Sequence, residues 1–278
     1  MNLCSPKVVR DLLSRCNVSP SKIMGQNFLV NQQILAKIIE AAKLSPNDTV
    51  LEVGPGIGTL TRELAKTVRK IIAIEKDKKM IEILGETLRD CKNVEIIQDN
   101  ILKFNPQNYS PLTTNYKLVA NIPYYLTSPL IRKFLEEKNP PKTMTLMVQK
   151  EVAQRICSKP PDMSLLAVSV QVYAEPKIIS YVKKESFWPS PKVDSAIIEI
   201  VPFNNKKTAN LDLFFKIVKA GFSQPRKQMA NNLSKSLKKD RYQINQWLLK
   251  NSTAPEQRAE TLSIKDWLGL TASFDTIE

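Results

Sequence analysis

The sequence predicts an α/β protein with a mainly parallel central sheet, followed by a small all-helical domain. Three observations support this prediction. Short apolar runs alternate with helical patterns up to about residue 150, as is typical of buried parallel strands joined by helices. Three of the seven glycines lie in one turn after the first of these runs. Beyond residue 203 only helical periodicity remains.

Composition narrows the possible functions. The 278 residues, 42% of them hydrophobic, suffice for one large domain and one small one. No stretch reaches the roughly 18 apolar residues of a membrane span, and the N-terminus is too polar for a signal peptide, so we expect a cytoplasmic protein without a membrane partner. The four cysteines form no CxxC pair. Histidine is absent, which excludes a histidine base and histidine metal ligands, and no metal is expected.

The positive charge is concentrated near the C-terminus. The net charge of +14 indicates an anionic partner, most commonly nucleic acid. Residues 204–278 carry 13 basic and seven acidic side chains, and residues 206–241 alone carry ten and two. A solvated helical surface would give the same pattern, so charge alone leaves both interpretations open.

The first 24 residues are basic and polar, and they are interpreted as an arm with a short helix at residues 7–14. The turn GQNFL at 25–29 follows, and NQQILAKIIEAAKL then has the apolar spacing of a helix. The predicted strands come next, at 49–53, 70–75, 94–99, 116–121 and 143–149. Ligands bind open α/β sheets at the carboxyl ends of such strands.

The turn between the first strand and its helix is VLEVGPGIGTLT, with Gly54, Gly56 and Gly58. Glycine permits positive φ and close approach of a ligand, so the cluster predicts a nucleotide-type cofactor site. A dinucleotide fingerprint would have its third glycine where Thr59 stands, which disfavours NAD. Glu75 and Asp99, after the next two strands, suit the ribose hydroxyls and the adenine amine of S-adenosylmethionine.

The most specific pattern is Asn121-Ile122-Pro123-Tyr124, directly after the fourth strand. An adenine amine is a poor nucleophile because its lone pair is delocalised into the ring. If the Asn121 side-chain oxygen and the Ile122 carbonyl accept its two N–H groups, the lone pair is freed for methyl transfer. Pro123 fixes the turn without a competing donor, and Tyr124 offers a ring on which the base can stack.

Seven motifs resemble, in order, those of the small-subunit (16S) ribosomal RNA adenine N6-dimethyltransferases, the KsgA/RsmA family. They are GQNFL (25–29), EVGPGIGTLT (52–61), IEKD (74–77), QDN (98–100), NIPYYLTSPL (121–130), VQKEVAQR (148–155) and FWPSPKVDS (187–195). The sequence departs from the family at Asn100, where a small residue is common, and at Ile122, where leucine is usual.

The resemblance implies a class I methyltransferase domain at 1–203 and a helical RNA-binding domain at 204–278. S-adenosylmethionine would be bound by Gln26, Asn27, Leu29, Gly54, Gly56, Glu75, Asp99 and Asn121. A flipped adenine would lie between Tyr124 and an aromatic side chain of the 187–195 loop, with Phe187 preferred over Trp188. Phosphate contacts are expected from Arg226, Lys227, Lys235, Lys238 and Lys239.

The implied activity is dimethylation of two adjacent adenines in a hairpin loop near the 3′ end of small-subunit ribosomal RNA, by a monomer. Two alternatives stay open. One is the related methyltransferase group that modifies a large-subunit adenine and confers antibiotic resistance. The other is a non-catalytic RNA-binding assembly or transcription factor that retains the fold.

Overall fold

The computed structural model describes residues 1–21, 23–113, 115–204 and 210–276. The chain divides into two compact units, Met1–Ala153 with Lys177–Pro202, and Gln154–Pro176 with Phe203–Glu278. The second unit begins one residue before the expected boundary. It also contains residues 154–176, which the sequence pattern had placed in the first domain.

A seven-stranded sheet forms the centre of the first unit. Its strands are β2 (Thr49–Val53), β3 (Lys70–Glu75), β4 (Val94–Gln98), β5 (Tyr116–Asn121), β6 (Met144–Gln149), β7 (Ala174–Val182) and β9 (Ser195–Pro202), in the order β4-β3-β2-β5-β6-β9-β7. The first five are the predicted strands and run parallel. The antiparallel strand β9, paired with β6, was not predicted. Strands β1 (Phe28–Leu29) and β8 (Phe187–Trp188) form a separate antiparallel pair.

Strand register brings the predicted site residues to one edge of this sheet. Val53 pairs with Ile74, and Glu75 pairs with Gln98. Because these strands are parallel, the residues that follow them emerge side by side. The glycine turn, Asp99 and the end of β5 therefore lie close together.

Helix α1 (Pro6–Arg15) precedes the first strand, and further helices follow the strands along the chain. These are α2 (Gln32–Ala41), α3 (Thr59–Ala65), α4 (Lys78–Thr87), α5 (Thr127–Glu136) and α6 (Lys150–Ile156). The Asn31 side chain caps α2 by accepting from the N–H groups of Gln33 and Ile34.

The interpretation of residues 1–24 as an arm is wrong for α1. Val9, Leu12 and Leu13 follow helical spacing and are buried in a core cluster with Phe28 and Ile57. These apolar contacts hold α1 against the body of the first unit, although the surrounding residues are polar and basic.

The second unit is helical, as predicted. It contains α7 (Leu165–Gln171), α8 (Leu211–Gly221), α9 (Met229–Leu237), α10 (Arg241–Lys250) and α11 (Ile264–Ala272). Its core includes Met163, Val168, Phe214, Leu233 and Trp267, which explains why residues 154–176 belong to it. Lys206 and Lys207, at the start of the predicted basic patch, lie outside the described residues.

Within the described ranges, no helix is long and apolar enough to cross a membrane. The same ranges contain no group of three or more His, Cys, Asp or Glu side chains arranged to hold a metal ion.

Candidate active site

A cavity of about 230 Å³ opens at the carboxyl edge of the sheet, within the first unit. Every residue predicted for catalysis or cofactor binding contributes to its lining: Gln26, Asn27, Leu29, Gly54, Gly56, Glu75, Asp99, Asn121, Ile122, Pro123, Tyr124 and Phe187. The structure thus brings together side chains that are separated by more than 150 positions in the sequence.

The three glycines of the turn have different surroundings. All have positive φ, which is 66° at Gly54, 59° at Gly56 and 87° at Gly58. Gly54 and Gly56 line the cavity. Gly58 is instead the N-cap of α3, and a Cβ added there would lie 3.1 Å from both Leu88 Cδ2 and Thr87 Oγ1. Gly58 is therefore required for packing against α4, while Gly54 and Gly56 leave room for a ligand.

Backbone N–H groups hold the Glu75 carboxylate at the cavity wall. Oε1 accepts from Lys76 at 2.8 Å and from Asp77 at 2.9 Å, and Oε2 accepts from Gly56 at 3.2 Å. Burial raises the pKa of Glu75, whereas these three N–H groups favour its ionised form. Since a carboxylate offers about four acceptor positions, acceptor capacity remains on Oε2.

Glu52 is a cavity residue that the sequence reading did not assign to the site. It lies within β2, is 1% exposed, and its Oε2 has no hydrogen-bond partner among the described residues. Burial raises the pKa of Glu52 to about 8; the Thr61 side chain opposes this rise, and the Glu75 carboxylate adds to it. The available signal was an acidic residue in an apolar strand, two positions before the glycine turn.

Asp99 is fixed by its neighbours at the end of β4. Its backbone N–H donates to the Glu75 carbonyl at 3.0 Å, and its Oδ1 accepts from the Asn100 N–H at 2.6 Å. The Asn100 side chain accepts from the Leu102 N–H at 3.1 Å. The unusual asparagine at 100 thus forms a local turn that leaves Asp99 in the cavity lining.

The GQNFL segment forms another wall of the cavity. Gln26 donates through Nε2 to Asp77 Oδ2 at 2.9 Å and accepts from the Ser21 N–H at 2.8 Å. Both ends of its amide are therefore engaged within the protein. Gln26 thus anchors the segment to the start of α4, and Asn27 and Leu29 complete this wall.

The Asn-x-Pro-Tyr turn lies between this segment and the glycine turn. A Cβ added to Gly25 would lie 3.4 Å from Pro123 Cβ, and one added to Gly54 would lie 3.8 Å from Pro123 Cδ. The Asn121 amide has no hydrogen-bond partner in the described part of the chain. The Tyr124 hydroxyl shares a 2.8 Å hydrogen bond with Ser195 Oγ, and burial raises the pKa of this phenol.

Phe187 and Trp188 lie in strand β8, where a loop had been predicted. Phe187 is opposite Leu29 and Trp188 is opposite Phe28. Neighbouring side chains in a strand point to opposite faces. Phe187, 4% exposed, accordingly lines the cavity, whereas Trp188 packs against the cluster that contains Phe28 and α1.

Within the helical unit, the predicted phosphate-binding residues lie at the two ends of α9. Arg226 and Lys227 are exposed in this turn, Lys235 is exposed on α9, Lys238 is exposed at its C-cap, and Lys239 is half-buried. The buried Asn232 donates to the Gly221 carbonyl at 2.7 Å and to the Gln224 carbonyl at 2.9 Å. These bonds fix the turn that presents Arg226 and Lys227.

Together these features define a class of protein. The site lies at one edge of a parallel sheet. A glycine turn follows one strand, acidic side chains lie at the ends of the next two, and the Asn-x-Pro-Tyr turn lies at the end of a fourth. This arrangement is that of a class I methyltransferase. The part of the cavity formed by the Asn-x-Pro-Tyr turn suits a planar exocyclic amine as the methyl acceptor. The tethered phenol of Tyr124 and the unengaged amide of Asn121 face the same cavity as the glycine turn.

Comparison with known proteins identifies the family. The family model for ribosomal RNA adenine dimethylase matches residues 19–275, and the chain belongs to this family. A ribosomal RNA small subunit methyltransferase A of Dehalococcoides mccartyi strain BAV1 is 41% identical over 268 residues, covering 95% of this chain and 92% of its own. The protein of the same name from Clostridioides difficile strain 630 is 39% identical over 281 residues, covering 99% of this chain and 97% of its own.

Solved structures of related enzymes have the same fold. The 23S rRNA methyltransferase ErmE superposes with a TM-score of 0.73 and 28% identity, covering 90% of this chain and all of its own. A dimethyladenosine transferase from Plasmodium falciparum also superposes with a TM-score of 0.73 and 28% identity, covering 89% of this chain and 97% of its own.

Proposed function

We propose that the protein transfers methyl groups from S-adenosylmethionine to the N6 amines of two adjacent adenines in small-subunit ribosomal RNA. The target is a hairpin loop near the 3′ end of that RNA, and the products are N6,N6-dimethyladenosines formed during ribosome assembly. The observation that carries this proposal is the single cavity shared by the glycine turn, Glu75 and the Asn121-to-Tyr124 turn.

The residues of the cavity suit the proposed cofactor. S-adenosylmethionine carries a cationic amino group, a ribose and an adenine. The buried Glu52 carboxyl, whose Oε2 has no partner among the described residues, would ionise beside the cationic amino group and pair with it, and the acceptor capacity left on Glu75 suits a ribose hydroxyl. Asp99 suits the adenine amine, and Gly54 and Gly56 allow close approach to the backbone. When bound, the cofactor supplies a methyl group activated by a positively charged sulfur.

The acceptor side follows from the Asn-x-Pro-Tyr turn. The Asn121 side-chain oxygen and the Ile122 carbonyl accept the two N–H groups of the target amine, which frees its lone pair for the methyl group. Tyr124, whose hydroxyl is tethered to Ser195, presents a ring of fixed position to the base. Phe187 provides a second apolar surface within the same cavity. No histidine is needed for this arrangement.

Flipping an adenine out of its stack costs a few kcal/mol, and least for a base already in a loop. That cost favours a hairpin-loop substrate over a duplex. In the helical unit, the exposed Arg226, Lys227, Lys235 and Lys238, with the half-buried Lys239, are proposed to contact RNA phosphates. Such contacts add affinity and fix orientation without reading the sequence. We further propose that the protein acts as a cytoplasmic monomer and needs no metal ion.

The small subunit is preferred over the large subunit as substrate because of the relatives. Those named as small-subunit methyltransferases reach about 40% identity over nearly the whole chain, whereas ErmE, which acts on 23S rRNA, is 28% identical. The test uses purified unmethylated small and large subunits with isotopically labelled S-adenosylmethionine. Label in small-subunit RNA is the expected result, and label confined to large-subunit RNA would reverse the assignment.

A further inference from the structure

Tyr125 is an exposed aromatic residue at the rim of the cavity. It follows Tyr124 directly and lines the same cavity, yet 59% of its surface is accessible to solvent. Because this ring is accessible at the mouth of the cavity, it is available to contact a substrate bound there.

The local backbone separates the two tyrosines. Residues Tyr124–Leu126 form a single 3₁₀ turn, in which successive side chains project about 120° apart. The Tyr124 side chain points toward Ser195, with which its hydroxyl shares a hydrogen bond, and the Tyr125 side chain therefore points in a different direction. The two rings consequently offer two distinct surfaces at one cavity.

The Tyr125 ring lies beside the backbone of Gly25, which has φ 63°. A Cβ added to Gly25 would lie 3.8 Å from Tyr125 Cδ1 and 3.4 Å from Pro123 Cβ. The ring thus lies beside bare backbone, which supports one edge and leaves most of the ring accessible.

Other apolar side chains at the same cavity favour a flat apolar ligand. Leu102 lines the cavity and is 40% exposed, and Met24 also lines it. A nucleobase presents such a flat surface. When one base of a strand is flipped into a pocket, its neighbour loses a stacking partner and is available to stack on an aromatic ring.

We propose that Tyr125 stacks on the base next to the flipped adenine, and is thereby a positioning residue for the RNA substrate. This inference rests on the proposed function. In a substrate with two adjacent target adenines, the stacked neighbour is the second target, held at the rim while the first reacts. Tyr125 then contributes to the binding of RNA, and the chemical step at the flipped base does not depend on it.

The experiment measures methyl transfer to unmethylated small subunits by the full-length protein. Tyr125→Leu keeps an apolar side chain but removes the flat ring. Loss of one base–aromatic stack should raise the KM for subunits by about 5- to 150-fold. The turnover number at saturating subunits and the dissociation constant of S-adenosylmethionine should match those of the wild type. Tyr125→Phe should restore the KM, since the ring and not the hydroxyl makes the stack.

Tyr181→Leu is the matched control. Tyr181 is 52% exposed in the same unit but does not line the cavity, and we expect this variant to retain the wild-type KM. A wild-type KM in Tyr125→Leu would overturn the inference. So would an equal loss of cofactor affinity, because Tyr125 would then be only a cavity wall. If the wild type methylates neither subunit, the proposed function fails and this inference fails with it.

Discussion

Alanine substitutions in the glycine turn should separate packing from ligand binding. At Gly58, left-handed backbone costs about 1–2 kcal/mol in a non-glycine residue. The added methyl group would also lie within 3.2 Å of Leu84, Thr87 and Leu88, and such overpacking costs about 1–3 kcal/mol. Gly58→Ala should therefore destabilise the protein by about 2–5 kcal/mol in total.

Gly54→Ala should behave differently. Its Cβ would meet only Pro123 Cδ, at an ordinary contact distance of 3.8 Å, so the stability cost is limited to the backbone term of about 1–2 kcal/mol. Because Gly54 lines the cavity, the methyl group would project toward the bound cofactor. Affinity for S-adenosylmethionine should fall more in Gly54→Ala than in Gly58→Ala.

Gly85 provides the control, since it lies within α4 and a Cβ there has no atom within 4 Å. Gly85→Ala should stabilise the protein by about 0.5–1 kcal/mol. The assay combines urea unfolding followed by circular dichroism with calorimetric titration of S-adenosylmethionine. Wild-type stability in Gly58→Ala, or wild-type cofactor affinity in Gly54→Ala, would refute the division of roles within the turn.

Three further predictions concern charge and aromatic contacts. The pKa of Glu52 is raised from 4.5 to about 8 in the folded protein. Between these pH values the folded protein retains a proton that the unfolded chain releases. The free energy of unfolding of the cofactor-free protein should therefore fall as the pH rises from 4.5 to about 8. In Glu52→Gln the unfolding temperature should fall less than in the wild type over the same pH range, and identical pH profiles for the two proteins would contradict the assigned burial. Phe187→Leu should reduce methyl transfer by about 5- to 150-fold through loss of stacking, whereas Trp188→Leu should leave methyl transfer near the wild-type level; the reverse pattern would exchange their roles. RNA affinity should fall steeply with salt, and neutralising Arg226 and Lys227 to glutamine should reduce the log–log slope by about 1.5, while an unchanged slope would exclude the turn from the interface.

Local sequence pattern was sufficient for the parallel strands. β2, β3 and β5 are mostly apolar runs, and each begins and ends where the sequence predicted. Since parallel register brings strand ends together, the positions of Glu75, Asp99 and Asn121 in one cavity also followed from the sequence.

Features that depend on distant contacts were not predictable in this way. The contacts of Gly58 lie about 30 residues further along the chain, so its packing role could not be distinguished from the ligand-binding role of Gly54. The polar surroundings of α1 concealed that Val9, Leu12 and Leu13 are buried. Glu52 has the polarity of a surface residue, and only the fold shows that β2 is covered on both faces.

The place of residues 154–176 in the second compact unit depends on distant contacts in the same way. The helical pattern there resembles that of the sheet-covering helices, and sequence alone does not show which core receives its apolar face. In the structure Met163 donates its N–H to the Glu260 carbonyl at 2.9 Å, and Val168 is buried in the helical core.

The most direct test maps N6,N6-dimethyladenosine in ribosomal RNA from cells that lack this protein. Complementation with the wild-type gene should restore two adjacent dimethylated adenines near the 3′ end of small-subunit RNA. Asn121→Ala should restore neither, although it should still bind the RNA, because the amide of Asn121 acts on the target amine. Dimethylation that persists without the protein, or that Asn121→Ala restores in full, would contradict the proposed activity.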